Sequence, residues 1–215
     1  LQLEVSTLDH ETKGILIMTQ LEISRIGEVI QASSTEITVH CYKLYSAASL
    51  GALVRTSSDD SPIYAIVRNI MTSPIDPARQ PVARGADEQT EDAVYLANPQ
   101  LAKLLRTEFE AIIVGHKTNS AVRHYLPSAP PRIHSFISIC DEKEIDEFAE
   151  SLNFLSLLLT GPTPLADEVT AAFLRQASAT QRDPRAFLVA AGQELARTLS
   201  RDLQRLTSIL RSIEP

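Results

Sequence analysis

The sequence predicts an α+β protein: a small closed antiparallel β-barrel followed by an α-helical C-terminal domain. Strand-like runs joined by short polar turns occupy residues 21–140 of the 215-residue chain. Helical spacing of apolar residues replaces them from Asp141 onward. Gly27 and Gly51 stand near predicted strand starts, where glycine marks the bulges and tight bends that close a small barrel.

The strand pattern is clearest between residues 36 and 44. Ile37, Val39 and Cys41 alternate there with polar residues, so the segment predicts a strand with one buried face. A run around Ile26 and Val29 predicts the preceding strand. Further strands are predicted at residues 49–56, 61–70, 108–117 and 134–140, and a short helix or turn at 94–106. We therefore expect about five to seven strands.

Residues 71–92 contain three prolines, one glycine and many charges. This composition predicts a long loop. The loop is either a binding loop on the barrel rim or a tolerated insertion, and we favour the insertion.

The helical part begins at Asp141, which together with Glu144 resembles a capping box. Apolar residues at helical spacing then predict one helix up to about residue 160. These residues are Ile145, Phe148, Leu152, Leu155 and Leu159.

Two further helix starts are predicted where a capping residue precedes proline, at Thr163–Pro164 and at Asp183–Pro184. The last helix is expected to run to about Ile213, so residues 141–215 are predicted to form about three helices. The barrel domain is assigned to residues 18–140. Residues 1–17, which precede Met18, are expected to be an N-terminal extension of uncertain status.

Composition argues against several classes of function. A net charge of -7, an aromatic content of 5% and the lack of Trp disfavour direct nucleic-acid binding, which uses basic surfaces and aromatic stacking. No apolar run reaches the roughly 20 residues that a membrane-spanning helix needs, and no secretory leader is recognisable. We therefore expect a soluble cytoplasmic protein. Its two cysteines, Cys41 and Cys140, are expected to be buried free thiols.

Four segments carry a resemblance to a known family. They are RIGEVIQASSTEITV at 25–39, LGALVRT at 50–56, IYAIVRNI at 63–70 and YLPSAPPRIHSFI at 125–137. Together they resemble the HAS barrel, the small N-terminal β-barrel of HerA-type DNA-translocating ATPases that is shared with the catalytic subunits of rotary ATP synthases. Barrels of this family pack side by side as collars on ring ATPases. The resemblance therefore implies contacts with other barrels or with a ring ATPase in trans.

The nucleotide-binding domain that follows this barrel in full-length relatives has no counterpart in the sequence. Its phosphate loop reads G-x-x-x-x-G-K-[ST], and the backbone of that loop cradles phosphate. No two of the seven glycines here are five residues apart, and none is followed by Lys-Ser or Lys-Thr. The five histidines show no HxH or HxxxH spacing of a metal site. We therefore expect no catalytic residues, no cofactor and no metal ligands.

The last predicted helix carries an apolar seam from Val189 to Ile213, with spacings of three and four residues. Such a seam serves either oligomerisation and partner binding or packing against the chain's own helices, and both alternatives stay open. The candidate interaction residues in it are Leu199, Leu203, Leu206 and Leu210.

Arg123 and Arg132 are further candidate interaction residues, because they give their segment a basic character suited to a phosphate or an acidic partner. The alternative, which we favour for these scattered cations, is a solvated barrel rim. We expect a non-catalytic interaction or assembly module whose partner is a protein, a second copy of the chain, or a ring ATPase. The alternative is a small enzyme with a site assembled from Arg123, His124, His134 and carboxylates of the first helix. Those carboxylates are Asp141, Glu144, Asp146, Glu147 and Glu150.

Overall fold

The structure is a computed structural model that describes residues 25–58, 61–160 and 165–213. Within these ranges it is an α+β fold, a closed antiparallel barrel with helices behind it, and the predicted fold class is confirmed. The N-terminal extension predicted for residues 1–17 and the helix start predicted at Thr163–Pro164 lie outside the described residues.

Six strands close the barrel. In the described residues the strands are β1 (Arg25–Ala32), β2 (Glu36–Cys41), β3 (Leu53–Ser58), β4 (Ser61–Pro74), β5 (Leu105–Thr118), β6 (Ala121–Arg123) and β7 (Phe136–Ile139). Their order is β2-β1-β7-β3-β4-β5-β6, and β5 returns to pair with β2. Every pairing is antiparallel, and β6 only extends the sheet beside the end of β5.

The barrel interior is apolar because alternate residues of each strand point inward. Ile37, Val39 and Cys41 of β2 are buried there, as their spacing predicts. Val29 of β1 and Ile113 of β5 belong to the same cluster. This inner core consists only of residues from the barrel half of the chain.

Gly27 and the residues around it bend β1. The β1–β7 register shifts between Arg25 and Gly27, and the β1–β2 register shifts between Val29 and Gln31. A Cβ atom on Gly27 would overlap the carbonyl of His40. Glycine is therefore the residue that permits this close approach of β1 to β2.

The segment predicted as a loop at 71–92 contains more regular secondary structure than expected, at both of its ends. The β4–β5 ladder continues to the pair Pro74 and Leu105, so the loop begins only at residue 75. Two short helices follow it, α1 (Glu91–Ala97) and α2 (Leu101–Leu104). Thr90 caps α1 through its hydroxyl, which accepts from the Ala93 N–H at 3.2 Å.

Five further helices follow the barrel in the described residues. They are α3 (Glu142–Ala149), α4 (Leu155–Leu158), α5 (Leu165–Thr180), α6 (Pro184–Thr198) and α7 (Leu203–Ile213). The capping box of Asp141 and Glu144 is present in both directions, at 2.9 and 3.1 Å. Asp183 caps α6 with Pro184 in the first turn. Both predicted helix starts are confirmed.

The predicted single helix over residues 142–160 is wrong, because the chain leaves the helical path after Ala149 and resumes it at Leu155. Ser151 and Asn153 interrupt it, and such side chains compete with the helix for backbone hydrogen bonds. At the start of the next helix the Ser156 hydroxyl donates to the backbone carbonyl of Asn153 at 2.9 Å.

A second core joins the helices to the outside of the barrel. Leu53 of β3, Tyr64 and Ile66 of β4 and Val114 of β5 point outward and pack into it. From the helical side it receives Phe148, Phe154, Leu155, Phe173 and Leu174. None of the helices within the described ranges is both long enough and apolar enough to cross a membrane.

Candidate functional site

The four predicted interaction leucines do not form one stripe, because the predicted helix up to Ile213 is two helices. α6 ends at Thr198, and α7 begins at Leu203. The Asp202 carboxylate accepts from the Arg205 N–H at 3.0 Å and so provides an N-terminal cap for the second helix. An aspartate just before an apolar repeat indicates the start of a helix. The prediction missed this signal because the apolar spacing continues regularly across Asp202.

The buried face of α6 also differs from the predicted seam. Phe187, Ala191, Leu195 and Leu199 are buried at steps of four residues, whereas Val189 is exposed. Leu199 therefore belongs to the chain's own core.

The other three leucines of the set lie on α7 and differ in exposure. Leu206 packs against the core of the chain, while Leu203 is 68% and Leu210 38% exposed. Of the predicted set, Leu203 and Leu210 are therefore the leucines accessible to a partner in the described structure.

The structure brings His124 of the alternative enzyme site against α3, the helix that carries the predicted carboxylates, whereas His134 contacts β1. The imidazole of His124 packs edge-on against Phe148 and Phe154, and its Nε2 donates to the Phe148 carbonyl at 3.0 Å. Burial lowers the pKa of His124 below its ordinary value of 6.5, and the hydrogen bond offsets part of this effect. His134, by contrast, contacts Glu28 of β1. The structure places these two histidines with different partners.

The predicted carboxylates lie on or beside α3 and form contacts that attach this helix to its neighbours. Glu144 pairs with Arg55 of β3 at 3.0 Å, and Glu147 accepts from Lys117 of β5 at 2.6 and 2.8 Å. Asp146 accepts from the Thr180 hydroxyl at 2.6 Å. These contacts give the carboxylates a role in attaching the helix to the barrel and to α5.

Arg123 and Arg132 lie on different elements. Arg123 ends β6 and is paired in register with His116 of β5. Arg132 lies in the turn before β7, where its carbonyl accepts from the Ser135 N–H at 3.1 Å. Both side chains are exposed.

A polar cluster that the sequence did not predict surrounds Glu28 on the outside of β1. The carboxylate accepts from the Tyr42 hydroxyl at 2.8 Å and from His134 Nδ1 at 2.8 Å. Phe136 is the cross-strand neighbour of Glu28 on β7, and the Arg25 guanidinium lies 4.0 Å from the centre of that ring. We call Arg25, Glu28, Tyr42, His134 and Phe136 the Glu28 cluster.

Hydrogen bonding determines the electrostatics of this cluster. The bond from His134, followed by the bond from Tyr42, lowers the pKa of Glu28 below its ordinary value. Burial and the bond to Glu28 raise the pKa of Tyr42 to about 12. The carboxylate is therefore charged and the phenol neutral at physiological pH, so the cluster presents both signs of charge beside two aromatic rings.

The Glu28 cluster lies on the part of the barrel that the described helices leave outside their core. The main contacts between helices and barrel involve β4 and β5, and Glu144 of α3 also pairs with Arg55 of β3. The outward barrel residues of the second core come from β3, β4 and β5. On the other side Ile30, Tyr42 and Phe136 are 40%, 51% and 46% exposed. We call the outer surface of β7, β1 and β2 the open barrel face.

A cavity of about 710 Å³ lies at one end of the barrel, between the end of β4, the loop at 75–90, and helices α1 and α2. Its walls include Ile75, Val82, Val94 and Leu104. Tyr45 closes one side, and its hydroxyl is hydrogen-bonded to that of Tyr95. We call this cavity the rim groove. It is formed partly by the segment whose function the sequence left open.

The cysteines have the character expected of core residues. Cys41 and Cys140 are both free and buried. Burial raises the pKa of Cys41 to about 11 and raises that of Cys140 further. Among the residues that the structure describes, no cluster of His, Cys, Asp and Glu side chains is suited to hold a metal ion.

Comparison with protein-family models finds no family that matches this chain. Comparison with curated proteins also finds no match. The closed six-stranded antiparallel barrel is compatible with a barrel family.

Proposed function

We propose that the chain is a non-catalytic protein-interaction or assembly module, built on a HAS-like barrel, that packs its open barrel face against another barrel. The observation that carries this proposal is the Glu28 cluster, with exposed Ile30 beside it, on the side of the barrel away from the helix–barrel core. An exposed apolar and aromatic patch rimmed by polar groups is typical of a protein-interaction site.

The chemistry of the face supports a protein partner. Tyr, Phe and Arg are enriched in the centres of protein interfaces, and the face offers Tyr42, Phe136 and Arg25 together. An aromatic ring buries a large area when a partner binds. A cation stacked on that ring, as Arg25 is on Phe136, adds an electrostatic attraction.

The face is also suited to self-association. A two-fold interface brings the same patch of two copies together, so a charged patch is self-complementary when it carries both signs of charge. Arg25, whose guanidinium lies over the Phe136 ring, and Glu28, the cross-strand neighbour of Phe136, provide these two signs on β1.

The resemblance to the HAS barrel supports the choice of another barrel as the occupant. The proposed barrel belongs to a second copy of this chain or to a ring ATPase that acts in trans, and we propose that the module acts in the cytoplasm. The net charge of -7 supports contact with a protein rather than directly with nucleic acid.

Light scattering coupled to size exclusion, with Phe136→Glu as the test variant and Leu96→Glu as its control, measures the self-association. Leu96 on α1 is 82% exposed, so its substitution adds the same charge at another exposed apolar site. We expect wild type and the control to form a dimer or larger ring and Phe136→Glu to be a folded monomer.

Contact with a ring ATPase is tested by replacing Ile30 with a photo-crosslinking residue and irradiating the protein in native extract. The expected product joins the chain to a barrel-bearing ATPase and is lost in Phe136→Glu. Monomeric wild type together with no Phe136-dependent crosslink contradicts the proposal. So does a wild-type oligomer whose size Phe136→Glu leaves unchanged in the absence of a Phe136-dependent crosslink, because another surface would then hold the copies together.

A further inference from the structure

We propose that the rim groove is a binding site for a small amphipathic anion, a molecule with an apolar body and one carboxylate or phosphate head. This site is separate from the open barrel face and does not depend on the assembly proposed above. Its volume of about 710 Å³ lies within the range of small-molecule sites, roughly 300–1,000 Å³.

The apolar part of the ligand has prepared walls. Ile75, Val82 and Leu104 line the groove and are 48%, 76% and 43% exposed. Large aliphatic side chains at the surface of one concave site lose their contact with water when a ligand fills it. A ligand body of hydrocarbon is the chemistry that these walls recognise.

The charges around the groove favour a negative head. Arg79, Arg84 and Lys103 line it against the single acid Asp76. Asp76 is already paired with Arg79, at 3.2 Å, and Arg84 donates to the neutral amide of Asn98 at 3.2 Å. Lys103 forms no ion pair within the described ranges. The groove is therefore locally positive on a chain of net charge -7.

The tyrosine wall is held firmly by the barrel. Tyr45 has a left-handed backbone, with φ of 62°, which costs a non-glycine residue energy. Its N–H donates to the Thr107 hydroxyl at 2.8 Å, and that hydroxyl also contacts Thr72 at 2.9 Å. Two strands thus fix the position of Tyr45, which keeps the wall in place without a ligand.

Acidic residues beyond the tyrosine pair determine which end of the ligand faces Tyr45 and Tyr95. A second, shallower cavity shares Tyr45 and Tyr95 with the rim groove and is lined by Glu91 and Asp92. These carboxylates repel an anion. The head of the ligand therefore lies away from Glu91 and Asp92, among the cations that line the rim groove, and the apolar body lies toward the tyrosines.

Isothermal titration of the full chain with dodecanoate, dodecyl phosphate and dodecanol, each below its aggregation limit, tests the site. We expect at least one of the anions to bind and the alcohol to bind about tenfold more weakly or not at all. The relative affinities of carboxylate and phosphate then identify the head.

Three variants locate the binding. Val82→Asp, which charges the wall, should abolish it, and Lys103→Glu should weaken it about tenfold. Lys143→Glu changes an exposed cation on α3 outside the groove and should leave it unchanged. All three positions are exposed, so circular dichroism should show folded proteins.

Equal affinity for the alcohol and the anions would overturn the proposal. Binding that survives both Val82→Asp and Lys103→Glu would also overturn it, as would no binding of any probe. Phe136→Glu should bind dodecanoate as wild type does, so the outcome here is independent of the assembly of barrels.

Discussion

Gly51, just before β3, lies directly against the backbone of Phe173 in α5. A Cβ atom on Gly51 would be 2.6 Å from the Phe173 nitrogen, closer than any side chain tolerates, and Gly51 has a left-handed φ of 79°. Next to it, Gln176 of α5 donates to the Leu50 carbonyl at 2.6 Å. This contact of backbone with backbone sets the distance between the barrel and its helices.

Gly51→Ala should therefore destabilise the fold, by about 3 kcal/mol, through positive-φ strain and overpacking together. For a chain of this size we expect Tm to fall by about 10 °C. Gly192→Ala is the matched control. Its Cβ would be 3.5 Å from Leu210, an ordinary contact, and alanine is favoured within a helix, so Tm should rise slightly. Equal effects of the two changes in thermal unfolding would refute this account of the contact.

The separated barrel provides a second prediction. Residues 18–140 expressed alone should keep a β-rich circular dichroism spectrum and unfold cooperatively, because the inner core around Val39 and Ile113 uses barrel residues only. The Tm should nevertheless be lower than that of the full chain, and a hydrophobic dye should bind. Tyr64 and Ile66, buried under the helices in the full chain, would then be exposed. An unfolded fragment would mean that the helices are required for the barrel to form.

His124 predicts a dependence of stability on pH. Because its pKa is lowered in the folded state, its contribution to the free energy of unfolding is complete above the ordinary pKa of 6.5. That contribution is lost as the pH falls from about 6.5 toward the folded pKa, because the unfolded chain then binds the proton more readily.

Urea unfolding of wild type and His124→Gln between about pH 7.5 and pH 5.5 measures this effect. The stability of wild type should fall more than that of the variant, which has no imidazole to titrate. The lowered pKa of Glu28 affects stability only at more acidic pH, since its ordinary value is 4.5. Parallel curves for the two proteins would show that His124 does not titrate on unfolding.

The leucines of α7 should respond differently to a charge. Leu206→Glu should lower Tm by several degrees, because the partly buried Leu206 packs against the chain's own core and an unpaired carboxylate in contact with that core is costly. Leu203→Glu should leave Tm unchanged, since that side chain is exposed. If light scattering instead shows that Leu203→Glu reduces the oligomer, α7 and not the open barrel face is the interface.

Nucleotide hydrolysis remains a simple test of the non-catalytic assignment. The purified chain with Mg²⁺ and ATP should show turnover far below about 1 per second, the lower end of typical enzymes. No variant is needed, and heat-denatured protein serves as the blank. Sustained turnover that follows the protein peak in chromatography would contradict the assignment.

Local signals in the sequence predicted the elements well where neighbouring residues decide the structure. The alternation at Ile37, Val39 and Cys41 identified β2, and Asp141 with Glu144 identified the start of α3, because strand faces and caps depend on a few adjacent residues. The prediction of one continuous last helix is wrong because Asp202 caps a new helix, although the apolar spacing continues regularly from Leu199 to Leu203 across that cap.

The candidate sites escaped prediction for a different reason. Glu28, His134 and Phe136 meet only because β1 pairs with β7, and nothing in their local sequence encodes that pairing. The rim groove likewise depends on where the loop at 75–90 lies relative to Tyr45. Such sites need the three-dimensional arrangement of distant segments, which residue patterns do not specify.

The pairing of β1 with β7 also constrains how the chain acquires its structure during synthesis. Glu28 of β1 pairs with Phe136 of β7, which is synthesised much later. The barrel therefore cannot close until nearly all of the barrel-forming part of the chain has left the ribosome. The β3–β4 hairpin forms from near neighbours, whereas the closing contacts are of high sequence separation and therefore slow. Until they form, the edges of β1 and β3 present unpaired backbone groups. A nascent chain paused in this interval is the state most exposed to aggregation and to chaperones.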